Sequence, residues 1–549
     1  MSSPKHYDWI VIGSGFGGSV SALRLAEKGY TVLVLEQGRD FKQDDFARSN
    51  WNLRRWMWRP RLGMRGIFRM SFFRHVTVLS GVGVGGGSLV YANTLPSPQD
   101  AFYRAPAWAD LADWKSELAP HYQTALQMLG ATEVPFQTPA DVALQKVAAE
   151  IGRSDQLQPA RVAVWFGEEG ETVADPYFDG RGPDRTGCTR CGACMVGCRV
   201  GAKNTLDRNY LYLAQRLGVE VMADTEVTAV RSKSGLVAGG CEGSGGGVGS
   251  GPSGDESNEP TLVEAVQRLG PLRKKRLQFS ADRVVFAGGV LGSVDLLLRM
   301  QKDAKGLPEL SPRLGARVCT NSESLLGIST LGQTDHSEGV AIGSVLHVDD
   351  NTSLETVRYP AGSGLFRLLM APHADGKNSL HRLFGVGGKL LRRPWRWLRA
   401  YAVQDWAKRT VILLYMRSDE ETMHLRRGRV GGLQTKVPRG GGPTAYMPGA
   451  SKLARMMAQR LGGVVGCLLP ETLFARPTTA HILGGCVMGK DRETGVIDAD
   501  HQLHGYPQHL VIDGSAVSAN PGVNPSLTIT ALAERAMSKV PVKADASVD

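Results

Sequence analysis

Short runs of apolar residues, divided by glycine-rich turns, recur from the start of the chain. Residues 9–12 form the first run, and a second run ends at Glu36. Between them lies a helical pattern that we expect to begin near Gly17 and to end at Gly29, where glycine allows a left-handed cap. Continuous apolar runs of this length are typical of strands that are buried on both faces. Residues 7–38 therefore predict a β-α-β unit.

Strand-like runs also occur in the middle and at the end of the chain. They cover residues 226–231, 262–268, 283–286 and 509–512, and a helical pattern follows Pro525 up to residue 538. Their distribution predicts an α/β protein with one Rossmann-like nucleotide-binding domain that is interrupted by insertions. We expect residues 1–100, 201–325 and 478–549 to form this domain. Residues 101–200 and 326–477 would form an inserted α+β substrate-binding domain.

Gly13, Gly15 and Gly18 follow the first run in the spacing G-x-G-x-x-G. In this strand-turn-helix context one glycine makes the turn, one lets the backbone approach a pyrophosphate, and one allows the helix to pack on the sheet. The amides at the N-terminus of the helix would face the phosphate charge. Glu36 ends the second strand, where a carboxylate binds the ribose hydroxyls of a dinucleotide. This motif predicts dinucleotide binding.

Length, composition and charge narrow the class of protein. At 549 residues the chain is too long for one simple core, and no apolar run approaches the roughly 20 residues that span a bilayer. The first strand begins near Tyr7, which leaves no room for a signal peptide, so we expect a cytoplasmic protein. Residues 240–260 are rich in glycine and serine and predict a mobile surface loop. The net charge of +11 does not by itself identify a partner.

Two stretches combine arginine with aromatic residues. Residues 51–75 hold seven arginines and no acidic residue, and residues 381–409 read HRLFGVGGKLLRRPWRWLRAYAVQDWAKR. Such patterns suit either an anionic membrane surface or arginine stems that cover a hydrophobic core. We expect core packing for the first stretch and keep both alternatives for the second. No nucleic-acid-binding module accompanies them, so we expect no nucleic acid partner.

A second glycine-rich segment reads SGVGVGGGSLVYANT from residue 80. Glycine at this density brings backbone amides close to a flat or charged group. The segment contains Gly83, Gly85, Gly86, Gly87 and Ser88. Together with the first glycine motif, it resembles the flavin-contacting segment of the glucose-methanol-choline (GMC) oxidoreductases. Residues 284–299, 320–324, 479–489 and 520–536 resemble, in the same order, the cholesterol oxidase-like branch of that family, most closely its actinobacterial members.

This resemblance implies a non-covalently bound FAD. Its ADP half would lie on the first β-α-β unit, and its isoalloxazine ring would lie against the second glycine-rich segment. Asp513 and Gly514, at the end of their strand, would hold the ribityl chain or the pyrophosphate. The helix after Asn524 and Pro525 would direct its N-terminal amides to the flavin pyrimidine ring, where reduction places negative charge.

The resemblance also implies two catalytic residues. Alcohol oxidation requires a base that removes the hydroxyl proton while a hydride leaves the carbon. His481 matches the catalytic histidine of the family, and Asn524 matches the residue that orients the substrate oxygen and the reduced flavin. Without the resemblance, a structural histidine and a helix N-cap would explain these residues.

One departure from the family concerns isomerase activity. Sterol oxidases that also move the ring double bond use a glutamate base just before a strand similar to residues 411–416. Arg409 or Thr410 falls at that position, and the preceding acidic residue is Asp405. We therefore do not expect isomerase activity.

Cys188, Cys191, Cys194 and Cys198 show the spacing C-x2-C-x2-C-x3-C. Bacterial ferredoxins bind iron–sulfur clusters with this spacing, although Arg199 replaces their proline and their fourth local cysteine commonly serves another cluster. A tetrathiolate zinc site and metal-free thiols stay open as alternatives, whereas a reducing cytoplasm disfavours disulfides. A cluster near the flavin would favour a dehydrogenase.

We therefore predict an FAD-dependent alcohol oxidoreductase that converts a hydrophobic secondary alcohol, such as a 3β-hydroxysteroid or another lipid, to a ketone by hydride transfer to flavin. Its electron acceptor would be oxygen or a carrier, and it would contact a membrane at most peripherally. Two alternatives stay open. One is an FAD and iron–sulfur dehydrogenase of a non-steroid alcohol, and the other is a non-catalytic flavin and iron–sulfur redox protein.

Overall fold

The computed structural model describes residues 4–232, 259–270, 273–376, 378–429, 431–438 and 441–544. Almost all of the predicted loop at residues 240–260, including Cys241, lies outside these residues. An eight-stranded and a seven-stranded sheet organise the described chain. None of the helices in these ranges is long and apolar enough to cross a membrane.

The eight-stranded sheet contains the predicted β-α-β unit. Five of its strands run parallel, in the order Glu220–Met222, Val32–Leu35, Lys5–Ile12, Lys274–Phe286 and Tyr506–Val511. Three further strands join antiparallel, namely Thr261–Arg268, Thr225–Arg231 and Gln502–Leu503. The strand predicted at residues 283–286 is longer than expected because its first half pairs with Thr261–Arg268. Burial on both faces explains the continuous apolar runs.

Five helices belong to this layer. They are Phe16–Glu27, Trp114–Met128, Tyr210–Arg216, Gly289–Lys302 and Ser526–Ser538. Gly29 has a φ of 83°, so the first helix ends at the predicted left-handed position. Trp114–Met128 packs on the last helix, where Arg535 donates to Oε2 of Glu117 at 2.6 Å. Residues around 102–125 thus share the core of the first sheet, although they follow the predicted boundary at residue 100. The domain division itself stays a prediction.

The seven-stranded sheet is antiparallel throughout. Its order is Met370–Pro372, Gly463–Leu468, Ser324–Thr330, Thr410–Arg417, Thr352–Val357, Ile342–Asp349 and Leu157–Pro159. Helices Pro139–Glu150 and Pro448–Arg460 cover one face, where Leu326 and Leu413 are buried. Because side chains alternate along a strand, the neighbours Leu325 and Leu414 point to the opposite face. The two sheets agree with the predicted combination of α/β and α+β units.

Further elements lie outside the two large sheets. One three-stranded sheet contains Phe68–Phe72, Thr77–Gly81 and Thr478–Thr479. Another contains Val318–Cys319, Thr422–Arg427 and Leu433–Lys436. Two-stranded pairs join Trp58–Arg59 to Met64–Arg65, Ala131–Glu133 to Arg161–Ala163, and Thr172–Val173 to Arg185–Thr186. The other α-helices are Leu53–Trp56, Asp100–Tyr103, Ser379–Arg392, Pro394–Tyr401, Trp406–Arg409 and Leu469–Phe474.

The first arginine-rich stretch packs largely as expected. Trp56 is buried and stacks on Phe68 with ring centroids 4.4 Å apart, and Trp58 is also buried. Trp51 and Phe72 remain exposed. The prediction of core packing is thus confirmed for the central aromatic residues of this stretch.

Candidate active site

One cavity of about 700 Å³ is lined by both large sheets. Its size is within the range of sites that enclose small-molecule ligands. Glycine turns and the N-termini of three helices, Phe16–Glu27, Gly289–Lys302 and Ser526–Ser538, line one end. Apolar side chains of the seven-stranded sheet and its neighbours line the other end. The cavity therefore has an amide-rich end and an apolar end.

The three glycines of the first motif have different surroundings. A Cβ atom on Gly13 would lie 2.4 Å from the carbonyl oxygen of Ala287, and one on Gly18 would lie 2.0 Å from that of Gly13. These two glycines allow close packing of the turn, helix and strand. A Cβ atom on Gly15 would meet no atom within 4 Å, and Gly15 lines the cavity. Free space therefore lies in front of the first helix, where backbone amides attract an anion.

The second glycine-rich segment touches the first. Gly86 has a φ of 53°, and a Cβ atom there would lie 2.5 Å from the Cα of Gly15. Behind these residues, Ser88 Oγ donates to the carbonyl of Gly85 at 2.7 Å and accepts from the amide of Leu206 at 3.0 Å. Ser88 therefore shapes the turn from behind the cavity wall.

Two buried carboxyl groups hold the turns at this end. Glu36 accepts hydrogen bonds from the amide and hydroxyl of Ser14 and from the amide of Gly38, at 2.8–3.1 Å. Asp513 accepts from the amide of Gly289 at 2.8 Å and from that of Ser515 at 2.7 Å. Burial raises the pKa of both carboxyl groups, while these hydrogen bonds act in the opposite direction. Both residues also line the cavity.

The structure divides the predicted cofactor residues into two groups. One group lines the cavity and contains Gly13, Gly15, Glu36, Gly86, Gly87, Asp513, Gly514, Asn524 and Pro525. The other lies behind the wall and contains Gly18, Gly83, Gly85 and Ser88. Because the space at Gly15 faces helix amides and adjoins Glu36, the residues present fit an extended dinucleotide such as FAD.

His481 lines the cavity, and its side chain lies beside Glu323, which precedes a strand of the seven-stranded sheet, and Asn524, which precedes the last helix. Its Nδ1 is 2.7 Å from Oε2 of Glu323, whose side chain is fully buried. The other carboxylate oxygen of Glu323 accepts a hydrogen bond from the amide of Ala480. A carboxylate at Nδ1 selects the tautomer with hydrogen on that atom. Nε2 is then left as the proton acceptor of the ring.

The loop that carries Glu323 has an unusual backbone. Asn321 and Ser322, two successive residues with side chains, have φ values of 58° and 40°. This region is costly for such residues and occurs where surrounding contacts determine the conformation. Here Asn321 Nδ2 donates to the carbonyl of Val523 at 3.0 Å, which joins the loop to the segment before the last helix. The strained loop thereby holds Glu323 beside His481.

Asn524 connects His481 to a second buried glutamate. In the amide orientation that pairs it with Glu355, its nitrogen donates to Oε1 and Oε2 of Glu355 at 2.7 and 3.2 Å. The other end of the amide lies 3.5 Å from Nε2 of His481. Burial, and secondarily the nearby charge of Glu323, raises the pKa of Glu355 to about 8. Glu355 therefore holds its proton near neutral pH and orients Asn524.

A third glutamate adds to this group. Glu471 is fully buried and accepts from Ser324 Oγ at 2.9 Å. Burial raises its pKa to about 7, and the charge of Glu323 acts in the same direction. Two carboxyl groups with raised pKa values, Glu355 and Glu471, thus lie near Glu323, and such groups are typical of functional sites.

Sequence reasoning missed these glutamates. Glu323 lies in the TNSES segment at residues 320–324, which the family resemblance included without giving it a role. Glu355 lies on Thr352–Val357, which pairs with Thr410–Arg417. The expectation of no isomerase activity rested on the lack of a carboxyl group near Arg409. The neighbouring strand supplies one at the site, so that argument no longer holds.

The apolar end of the cavity has a wall of aliphatic and aromatic side chains. They are Leu325, Val357, Tyr359, Phe366, Met370, Trp406, Ile412, Leu414 and Leu468. A ligand body of matching shape gains about 25 cal/mol for each Å² of apolar surface that it buries. The site therefore suits a large apolar molecule with one polar group near His481.

The four cysteines of the predicted metal site also come together. Cys188, Cys191, Cys194 and Cys198 line a second, smaller cavity, and all four are free of disulfides. In the described parts of the chain, no group of three or more His, Cys, Asp or Glu residues is arranged to hold a metal ion. The structure thus supports the grouping of the thiols, whereas the predicted metal stays a prediction.

Comparison with known proteins identifies the family. A family described as FAD dependent oxidoreductase matches residues 8–340, and one described as GMC oxidoreductase matches residues 471–533. A cholesterol oxidase from Acinetobacter baumannii is 42% identical over 98% of this chain and 95% of its own length. A cholesterol oxidase from Mycobacterium tuberculosis is 43% identical over 98% of this chain and 92% of its own length.

Solved structures agree at the level of the fold. The crystal structure of pyridoxine 4-oxidase from Mesorbium loti superposes with a TM-score of 0.62 and 16% identity, over 97% of this chain and 98% of that one. The identity to the cholesterol oxidases extends over nearly the whole length of both proteins. The chain is therefore an FAD-dependent alcohol oxidoreductase that belongs to the GMC oxidoreductase family, in its cholesterol oxidase branch.

Proposed function

We propose that this enzyme oxidises the 3β-hydroxyl group of a sterol-like secondary alcohol to a ketone. One observation carries the proposal. The imidazole of His481, held by Glu323 at 2.7 Å, lines a single cavity together with the glycine turns and the apolar wall. A steroid has one hydroxyl group on a rigid apolar body, which matches this division. The name that the two relatives above share supports the same substrate class.

The residues of this chain would prepare the hydroxyl group. Nε2 of His481 accepts its proton, while the carboxylate of Glu323 stabilises the imidazolium that forms. Asn524, oriented by Glu355, fixes the position of the alcohol oxygen near Nε2. The apolar wall excludes water from the reacting carbon. Bound FAD supplies the hydride acceptor.

An anaerobic bleaching assay tests this proposal. We expect cholesterol in detergent micelles to bleach the flavin absorbance of the purified holoenzyme, and glucose to leave it unchanged. His481→Ala should slow bleaching by at least 100-fold, as expected for loss of a general base. Its flavin content should stay normal, because the imidazole is not part of the glycine cradle.

Three results would contradict the assignment. Bleaching of His481→Ala at nearly the normal rate would remove His481 as the base. A holoenzyme that no alcohol bleaches would instead favour the non-catalytic redox protein. Bleaching by a simple aliphatic alcohol but not by sterols would favour the non-steroid dehydrogenase.

A second candidate function differs in the fate of the electrons. The relatives are named oxidases, which favours oxygen as acceptor and hydrogen peroxide as product. The cysteine loop adjoins the main cavity through Met195, and this position favours a dehydrogenase that uses a one-electron carrier. Turnover in air distinguishes them, since an oxidase forms one peroxide for each ketone. A dehydrogenase needs added ferricenium or a similar dye.

We further propose that helices Ser379–Arg392 and Pro394–Tyr401 bind an anionic membrane surface. Leu380, Phe384, Leu391, Trp395 and Leu398 are 56–84% exposed, and their spacing of three, four and seven residues places them on one side. We call these five residues the exposed apolar face. In a globular protein such a face normally packs on the core.

Charge supports an anionic bilayer as the occupant of this face. Exposed Arg392, Arg393 and Arg399 lie on the same two helices, and no acidic residue occurs between Asp375 and Asp405. Basic side chains beside inserted apolar ones favour anionic lipid, which the cytoplasmic leaflet carries. A cytoplasmic location, as proposed from the sequence, would bring the enzyme to that leaflet.

The exposed apolar face also lies next to the substrate end of the cavity. Tyr401 Oη donates to the carbonyl of Met370 at 2.9 Å, and Arg367 donates to that of Val403 at 2.8 Å. Phe366, Met370 and Trp406, which flank the two helices in the chain, line the cavity. A lipid alcohol that leaves the bilayer at this face would therefore emerge beside residues of the apolar wall.

A further inference from the structure

The loop of residues 188–198 surrounds a second cavity with four thiols. Cys188, Cys191, Cys194 and Cys198 all line this space. Arg190, Gly192 and Gly197 have φ values of 53°, 67° and 101°, and these left-handed residues let the loop turn repeatedly around the space. The amide of Gly192 donates to the carbonyl of Gly339 at 2.9 Å, and the amide of Gly339 donates to the carbonyl of Arg190 at 2.7 Å. The loop is therefore closed on a neighbouring segment.

In the described residues, these thiols do not form a site for a single metal ion. A structural zinc ion requires four sulfur atoms about 2.3 Å from one point. Within the residues that the structure describes, no three ligating side chains are arranged in this way. In an iron–sulfur cluster each cysteine binds a separate iron atom, so the sulfur atoms lie further apart around a shared centre. The four free thiols that line one cavity would supply one ligand for each of four iron atoms.

The position of the fourth cysteine supports one common centre. In two-cluster ferredoxins the last cysteine of the motif serves a different cluster. Here Cys198 lines the same cavity as the other three cysteines. The loop therefore supplies a complete set of four thiolate ligands by itself.

Buried cations adjoin this cavity. Lys203 is buried, and its ammonium group donates to the carbonyls of Leu89, Tyr91 and Cys194 at 2.8–3.1 Å. Arg358 is also buried, and its guanidinium lies against Gly339, which lines the cavity. A cluster with four thiolate ligands is anionic, and nearby positive charge offsets the cost of burying it.

The cysteine cavity adjoins the main cavity. Met195, which follows Cys194, lines the main cavity, as does Tyr91. Lys203 connects Cys194 to Tyr91, and its ammonium group lies 4.6 Å from the centre of the tyrosine ring. Cys191, by contrast, is exposed to solvent. A redox centre in the loop would therefore lie between the main cavity and the protein surface.

From these observations we propose that Cys188, Cys191, Cys194 and Cys198 together bind one iron–sulfur cluster beside the main cavity. This inference does not depend on the identity of the alcohol substrate. It concerns a metal site in addition to the flavin site.

Metal and sulfide analysis of the full-length protein tests the proposal. Protein produced with added iron and purified without oxygen should contain about four iron atoms and four acid-labile sulfides per chain. Reduction with dithionite should produce an electron paramagnetic resonance signal of a reduced cluster. Stoichiometric zinc, or neither metal nor sulfide, would overturn the proposal.

Two serine variants and one control test the ligands. Cys188→Ser and Cys198→Ser should each lose at least nine-tenths of the iron and sulfide. Cys467→Ser removes a buried thiol of the seven-stranded sheet and should keep both. Flavin content and circular dichroism show whether each variant is folded. Iron that persists in both loop variants would overturn the ligand assignment. If a variant does not fold, the metal content of the parent protein decides whether the loop binds a cluster.

Discussion

At the scale of single residues, the site depends on carboxyl groups that control the histidine and the asparagine. Glu323 holds Nδ1 of His481, and Glu355 holds the amide of Asn524. Each glutamate therefore acts on the alcohol indirectly, through His481 or Asn524. Since burial favours the neutral form of a carboxyl group, Glu355 and Glu471 couple the stability of the site to pH.

The first prediction concerns the titration of Glu355. Its pKa is about 8 in the folded protein, compared with an ordinary value of 4.5. Between these values the folded chain binds a proton that the unfolded chain has lost, so the free energy of unfolding falls as pH rises. The contribution is at most about 1.4 kcal/mol per pH unit. We expect Glu355→Gln to reduce this decline between pH 5 and pH 8.

Urea unfolding of the parent and the variant at several pH values measures the effect. Glu471 remains in both proteins, so the difference between them isolates Glu355. The exposed Glu133, replaced by Gln, is a matched control that should leave the pH dependence unchanged. Parallel curves for the parent and Glu355→Gln would be evidence against a perturbed carboxyl group.

At the scale of secondary structure elements, the same helical pattern has two outcomes in this chain. On helices Pro139–Glu150 and Pro448–Arg460, apolar side chains such as Leu144 and Leu453 pack against the seven-stranded sheet. On Ser379–Arg392 and Pro394–Tyr401, by contrast, the apolar side faces outward, while Arg382 is buried and donates to three backbone carbonyls. The buried arginine fixes the first of these helices with its apolar side exposed.

The second prediction concerns this exposed apolar face. We expect the holoenzyme to float with vesicles that contain phosphatidylglycerol and much less with pure phosphatidylcholine vesicles. Phe384→Glu combined with Trp395→Glu should weaken binding more than tenfold, because each side chain loses about 1.5–3 kcal/mol of burial in the interface and gains a repelled charge. Activity on detergent-solubilised substrate should stay unchanged.

Leu217→Glu is the matched control, since Leu217 is exposed on another helix end. It should bind vesicles as the parent does. Equal flotation of the double variant and the parent would rule out the exposed apolar face as the membrane contact. Binding that is indifferent to lipid charge would rule out the role of the arginines.

At the scale of the whole molecule, the cavity is lined by both large sheets. A ligand in this cavity contacts the glycine turns of one sheet and lies beside the apolar wall of the other. Binding to the folded state alone stabilises it, by about 2.7 kcal/mol when the free ligand is at 100 times its dissociation constant. The cofactor should therefore stabilise the fold as well as serve the reaction.

The third prediction separates these two roles at Gly15. Because a Cβ atom there meets no protein atom, Gly15→Val should fold normally but fill the space in front of the first helix. We expect its melting temperature without FAD to equal that of the FAD-free parent. Added FAD should raise the melting temperature of the parent only. Gly18→Val, whose Cβ would clash with the carbonyl of Gly13, should instead lower stability in both states.

Thermal unfolding followed by intrinsic fluorescence, with flavin content measured separately, checks these outcomes. If Gly15→Val retained FAD with unchanged affinity, the space at Gly15 would not be the pyrophosphate site.

Local patterns determined much of this protein. The first β-α-β unit, most strands of the first sheet, the last helix and the glycine turns follow from periodicity and spacing, which depend on residues near one another in the chain. His481 and Asn524 were identified only through the resemblance of their segments to the GMC family.

Only the tertiary structure decided which partners control these residues. Glu323 and His481 are 158 residues apart, and Glu355 reaches Asn524 from a strand of the other sheet. Such contacts depend on strand register and on packing between sheets, which local periodicity does not encode. For the same reason, only the packed chain showed that the apolar positions of residues 380–398 face outward and do not cover the core.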